Sequence, residues 1–154
     1  MFDEPESKGE AILRSAAKQV VVDFCAAWSA LDFDRIETML ADDLVYHNIP
    51  LEPILGRASA NAYFRNLAPS LSWCRWELIS IAAEGSTVLT ERVDHFHRDG
   101  RAVALQVMGV FEIERGLIAR WRDYFDLASY RNQLARRGHD ETGIGRQECV
   151  GDGG

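Results

Sequence analysis

The chain has 154 residues, 47% apolar and 27% charged, enough for one domain with a sizeable core and too few for two. A formal charge of −7 and a pI near 5.1 set the protein against nucleic acid or an anionic membrane as partner, because phosphates are repelled. Its three cysteines, Cys25, Cys74 and Cys149, share no CxxC or Cys/His spacing, which argues against a disulfide scaffold or a zinc site and for a reducing, cytoplasmic setting.

No basic-then-apolar leader opens the sequence, and no run of about 18 apolar residues suggests a membrane span. Residues 1–9 are polar, contain Pro5 and Gly9, and read as a flexible N-terminus. Val21, Phe24, Cys25, Trp28 and Leu31 recur at helical spacing, which predicts a helix near 10–31. Asp32 is placed to cap a short second helix carrying Phe33, Ile36, Met39 and Leu40. "LVYHNIP" reads as a strand closed by Pro50, and residues near 58–67 as a third helix that ends before Pro69. From Cys74 on come four apolar, β-branched runs with turns at Gly85-Ser86, Asp99-Gly100 and Arg115-Gly116, so the strands are antiparallel neighbours. A last helix follows Asp126. The glycine-rich segment 138–154, "GHDETGIGRQECVGDGG", has no periodicity and reads as a flexible tail. Helices first and a strand meander second describe one α+β domain over residues 10–137, with helices packed on one face of a sheet.

Alternation along three of these strands gathers an unusual set of polar residues. One face of the first strand presents Leu44, Tyr46 and Asn48; of the third, Arg92, Asp94 and Phe96; of the last, Trp121, Asp123 and Phe125. Such charges could form an ion pair on a solvated sheet face, worth about 1 kcal/mol at most. However, Asp123 stands between two large aromatics, which solvent explains poorly. If the face is inward, apolar walls enclose a few convergent polar groups, the usual make-up of a small-molecule site. One buried guanidinium with two buried carboxylates sums to −1, and one carboxyl should then hold a proton while the arginine keeps the other ionised. Acid and base side by side, with no metal or nucleophile, suit the opening of a strained cyclic ether by water.

"YHNIP", "TERVD" and "WRDYFDL", in this order and spacing, resemble the limonene-1,2-epoxide hydrolase family, from about Val20 to about Leu134. The resemblance implies a strongly curved, mainly antiparallel mixed sheet of the nuclear-transport-factor-2-like (cystatin-like) superfamily, with N-terminal helices on its concave face enclosing an apolar pocket. It implies a homodimer and the one-step hydrolysis of an apolar, cyclic or terpene-like epoxide to a vicinal diol, with no cofactor and no covalent intermediate. Carried over by motif, Asp123 is the base, Asp94 the acid, Arg92 the bridge between them, and Tyr46 and Asn48 hold the water. The implied pocket lining is Cys25, Trp28, Leu67, Leu71, Trp73, Leu105, Val107, Trp121 and Phe125.

The superfamily hosts other chemistries, so two rivals stay open: another proton-transfer enzyme of ketosteroid-isomerase or polyketide-cyclase type, and a non-catalytic carrier of apolar ligands. An arginine joining two aspartates speaks against the first. His47, His95 and His97 invite a zinc site, but no fourth ligand is spaced with them and strand histidines are more often structural.

Overall fold

In the computed structural model, which describes residues 7–136, four helices lie against a six-stranded sheet. The expected C-terminal tail and Cys149 lie outside the described residues. The elements are α1 (Lys8–Ser29), α2 (Phe33–Thr38), β1 (Leu40–Asn48), β2 (Ile54–Leu55), α3 (Arg57–Leu67), β3 (Leu71–Glu84), β4 (Thr87–Arg98), β5 (Arg101–Glu114), β6 (Leu117–Tyr124) and α4 (Leu127–Ala135), with a single 3-10 turn at Ala68–Ser70. The strands run β2-β1-β6-β5-β4-β3 across the sheet. All pairs are antiparallel except β1 with β6, so the sheet is mixed.

Local chemistry accounts for the helix ends. Ser7 and Glu10 form a capping box, Ser7 Oγ accepting from the Glu10 amide and Glu10 Oε2 from the Ser7 amide. Helix α1 therefore starts at Lys8, earlier than sequence periodicity suggests, and residues 7–9 are structured rather than part of a loose N-terminus. It stops at Ser29; Leu31 takes a left-handed φ of 52°, which no helix can continue through. Asp32 caps α2 through the Arg35 amide, and Asp126 caps α4 through the amides of Ala128 and Ser129.

Two apolar clusters fill the concave side. The larger joins the buried face of α1 (Ala17, Val21, Phe24, Trp28) to Ile36, Leu44, Phe64, Phe111 and Trp121. The smaller holds Val103, Leu105 and Val107 under Phe96, Phe125, Tyr130 and Leu134. It exists because β6 ends at Tyr124, opposite Met108, and leaves the first half of β5 without a partner on that side. Helix α4 takes that place: the Gln133 side-chain amide accepts from the Ala104 N–H (2.8 Å) and donates to its carbonyl (3.1 Å). A sheet edge that would otherwise be open is thereby covered. The inner face of β5 reads Val103, Leu105, Val107, Gly109, Phe111, Ile113, and the one residue without a side chain separates the two clusters.

Candidate active site

Strand β4 turns Thr90, Arg92 and Asp94 inward, and all three are buried, as is Asp123 on β6. The Arg92 guanidinium, 1% exposed, donates from Nε to Asp94 Oδ1 (2.8 Å) and from Nη2 to Asp94 Oδ2 (3.2 Å) and Asp123 Oδ2 (2.5 Å). Its Nη1 donates to Thr90 Oγ1 at 3.3 Å. The Trp76 ring lies 4.3 Å from the guanidinium carbon, so the cation is held between an aromatic face and two carboxylates.

Gly109 makes this reach possible. Thr90, Gly109 and Asp123 are neighbours across β4, β5 and β6, and Arg92 must cross β5 to meet Asp123. A methyl group on Gly109 would collide with Arg92 Nη1 and approach Thr90 Oγ1 to 2.6 Å. The glycine is required for close approach rather than for a special backbone angle.

The electrostatics follow from burial and pairing. Burial disfavours the Arg92 cation, but Asp123 and Asp94 outweigh it and hold the group charged. Burial pushes the Asp94 carboxyl up to about 6; Arg92 opposes that shift and Asp123 adds to it. Asp123 Oδ1 is buried with no protein partner, so an unused acceptor is left beside an acid that keeps its proton up to about pH 6.

Parallel pairing of β1 with β6 sets Tyr46 beside Trp121 and Asn48 beside Asp123. Asn48 Nδ2 donates to Tyr46 Oη at 2.7 Å, which leaves the Tyr46 hydrogen and Asn48 Oδ1 free to serve a further partner. Burial keeps the Tyr46 phenol well above its usual titration range, and Asp123 reinforces the shift, so it remains a neutral donor. These groups open on a cavity with about 130 Å³ available to the centres of water-sized molecules. Trp28, Leu67, Leu71, Leu105, Val107, Trp121 and Phe125 line it, and Tyr46, Asn48, Asp94 and Asp123 supply polar atoms to its walls.

Two of the expected wall residues lie elsewhere. Trp73 is 45% exposed, on the outer face against His97, with ring centroids 5.3 Å apart. The cause is a bulge between Leu71 and Trp73, which puts the two side chains on opposite faces where plain alternation would put them on one, so the lining implied by the family resemblance does not hold here. A second bulge between Leu78 and Ser80 leaves the inward set of β3 as Leu71, Cys74, Trp76, Leu78, Ile81 and Ala83. Trp76, absent from the expected lining, thus takes the place beneath Arg92 and stacks on Trp28 at 5.0 Å. Cys25 is buried on α1 outside the cavity wall; burial pushes its thiol up to about 12, and the charges of Arg92, Asp94 and Asp123 still act on it. Sequence reading also missed Leu51, Tyr63, Phe64, Arg98 and Tyr130 at the cavity. Of these, Arg98 alone continued an alternation already in view, two residues beyond Phe96.

The histidines are engaged separately. His95 Nε2 donates to Glu77 Oε2 and His47 Nε2 to the Leu51 carbonyl, both at 2.9 Å. Among the described residues no group of three or more His, Cys, Asp or Glu is arranged to hold a metal, and no helix is long and apolar enough to cross a membrane.

With this geometry in place, kinship decides the class. Residues 15–136 match the family model for the limonene-1,2-epoxide hydrolase catalytic domain. The chain belongs to the limonene-1,2-epoxide hydrolase family. It is an enzyme of epoxide-hydrolase type, and its sequence is 34% identical over 136 residues to the epoxide hydrolase EphG of Mycobacterium tuberculosis, covering 88% of this chain and 91% of that one. Its fold matches the structure of an epoxide hydrolase of the same type from M. tuberculosis with a TM-score of 0.72 and 34% identity, over 79% of this chain and 91% of the other. The same fold, at a TM-score of 0.67 and 20% identity, occurs in a protein with a ketosteroid-isomerase-like fold from Catenulispora acidiphila, over 74% of this chain and 90% of that one. That likeness shows shared architecture alone.

Proposed function

We propose that this epoxide hydrolase adds water to an apolar, cyclic or terpene-like epoxide in one step, giving a vicinal diol without a covalent intermediate. Asp123 Oδ1 takes a proton from a water held by Tyr46 and Asn48. The resulting hydroxide attacks an epoxide carbon, the ring C–O bond breaks, and the departing oxygen takes the proton of Asp94. Arg92 holds both carboxyls in register throughout, and burial raises Asp94 toward the proton-carrying form it needs as the acid. A proton then moves from Asp123 back to Asp94, so the balance is epoxide plus water to diol. No metal, cofactor or nucleophilic side chain takes part.

The observation that carries this reading is one buried guanidinium bridging two carboxyls, with the second oxygen of Asp123 unengaged and Asp123 itself in the cavity wall. A ketosteroid-isomerase-like reaction wants one carboxylate base and an oxyanion donor, and makes no use of such a bridge. The buried free thiols Cys25 and Cys74 support a reducing, cytoplasmic setting. Exposed Leu89, Met108 and Tyr124 on the outer sheet face support a homodimer.

The test is a diol assay with limonene oxide, cyclohexene oxide and styrene oxide in water enriched in heavy oxygen, beside Asp123→Asn. One heavy oxygen per diol in the first turnover, with formation lost in the variant, is the expected result. Label that first appears on the protein would replace direct attack with a covalent intermediate. Absence of turnover by folded protein would leave a carrier of apolar ligands as the better account.

A further inference from the structure

The inner face of β4 does not end at the carboxyls. By alternation it runs Arg92, Asp94, Phe96, Arg98, and the last three line the cavity. Arg98 lies four residues beyond Asp94, which sets their backbones about 13 Å apart along the strand. Between them Phe96, Phe125, Leu71 and Leu105 make an apolar passage. Arg98 Nη1 donates to the hydroxyl of Tyr130 on α4, and that hydroxyl keeps its own hydrogen to donate. Tyr63 on α3 faces the same place: burial raises its phenol, Tyr130 raises it further, and Arg98 lowers it. The nearest carboxylate to Arg98 is that of Asp99, 3.9 Å from Nε and 64% exposed, so it is a poor counter-ion. The cavity therefore has a proton-exchanging end and, across an apolar span, a cationic end rich in unused donors.

We propose that Arg98 and Tyr130 form a carboxylate site at the end of the cavity remote from the reacting carboxyls, so that among epoxides with an apolar body those that also carry a remote carboxylate are bound more tightly than those without one. The inference rests on the hydrolase reading for the epoxide and on the β4 geometry alone for the carboxylate. The inner end does not oppose it. Up to about pH 6 Asp94 keeps its proton and the inner end carries least charge to repel an anion, whereas the chain as a whole, at −7, would repel it without a local cation. The oxygen of Tyr130 already engaged by Arg98 fixes the guanidinium plane, as a bidentate carboxylate site requires.

Two measurements test this. In the first, binding of octanoate and of octan-1-ol is followed by quenching of the cavity tryptophans, in the wild type, Arg98→Leu, Arg98→Lys and Tyr130→Phe. Octanoate should bind about tenfold more tightly than the alcohol in the wild type; Arg98→Leu should erase that advantage, and Arg98→Lys and Tyr130→Phe should keep part of it. In the second, terminal epoxy acids of six, eight and ten carbons are compared with unsubstituted epoxides of the same lengths. The wild type should show a lower KM for the acids, with an optimum chain length, and Arg98→Leu should bring the two series together. Equal affinity for octanoate and octan-1-ol in the wild type, or an advantage that survives Arg98→Leu, would overturn the proposal. Octanoate bound through Arg98 without turnover of any epoxide would remove the hydrolase reading and leave only the carboxylate site standing; turnover without preference for the acids would keep the hydrolase reading and overturn this proposal.

Discussion

A single arginine, fully buried, sets the character of this site. Removing either carboxyl removes one half of a proton-transfer pair, so Asp94→Asn and Asp123→Asn are each expected to lower diol formation by about 10²- to 10⁴-fold. Because Asp94 must carry a proton and titrates at about 6, kcat/KM should decline as pH rises beyond that value; a flat profile from pH 5 to 9 would contradict the assignment. Asp94 also has a stability consequence. Its folded carboxyl loses the proton at about 6, against 3.8 ordinarily. Between those values the folded state binds more protons than the unfolded one, so stability falls as pH rises through that window and is level above it. The gap is worth roughly 3 kcal/mol at most. Asp94→Asn, which leaves Arg92 and Asp123 balanced, should therefore melt at or above the wild-type temperature at pH 8 while being inactive, and should lose that advantage at pH 4. Gly109 belongs to the same scale. Gly109→Ala drives a methyl into the crossing guanidinium, and a displacement of about 1 Å there should cost about 10²-fold in kcat, together with a changed pH profile; an unaltered profile with full activity would refute the close-approach role.

At the scale of elements, the meander was legible from its three turns, α1 from its apolar period, and the starts of α2 and α4 from Asp32 and Asp126, because turn, period and capping signals act within a few residues. Strand β3 was not. Its inward residues fall at spacings of three, two, two, three and two, and nothing local in "LSWCRWELISIAA" tells Trp73 from Trp76. The bulges are set by pairing with β4, whose own alternation is unbroken. Helix α4 shows the opposite case. Asp126 is a plain capping signal, but that the helix substitutes for a missing strand beside β5 depends on where β6 stops. Asp126→Ala should remove about 1 kcal/mol from α4, seen as faster amide exchange in residues 127–135, and should raise KM without moving the pH profile, since α4 carries Tyr130 over the cavity and touches neither carboxyl.

At the scale of the whole molecule, a charged group sits between two apolar clusters, and each cluster keeps water from one side of it. That exclusion is what gives Arg92 its hold on the carboxyls, since the same contacts on a solvated surface are worth little. The outer face presents Met108 beside Tyr124, with Leu89 diagonal to both across β5, an apolar patch that an isolated subunit would leave in water. The homodimer reading predicts that Met108→Glu converts a dimer to a monomer in sedimentation experiments; a wild type that sediments as a monomer at micromolar concentration would set that reading aside.

The sequence by itself determined the class of fold, the identity of the two aspartates and the arginine, and the tyrosine and asparagine beside them. The fold class follows from the order of helical and strand patterns, and the polar set from two-residue alternation over 44–48, 92–96 and 121–125, which depends only on neighbours along the chain, together with three motifs that resemble a known family. Tertiary structure alone decided which face those residues share, which tryptophan supports the arginine, and what closes the far end of the cavity. Each of those depends on contacts between residues distant in the chain: the bulges of β3, the glycine that β5 places under the Arg92 guanidinium, and the helix that covers β5 where β6 has ended.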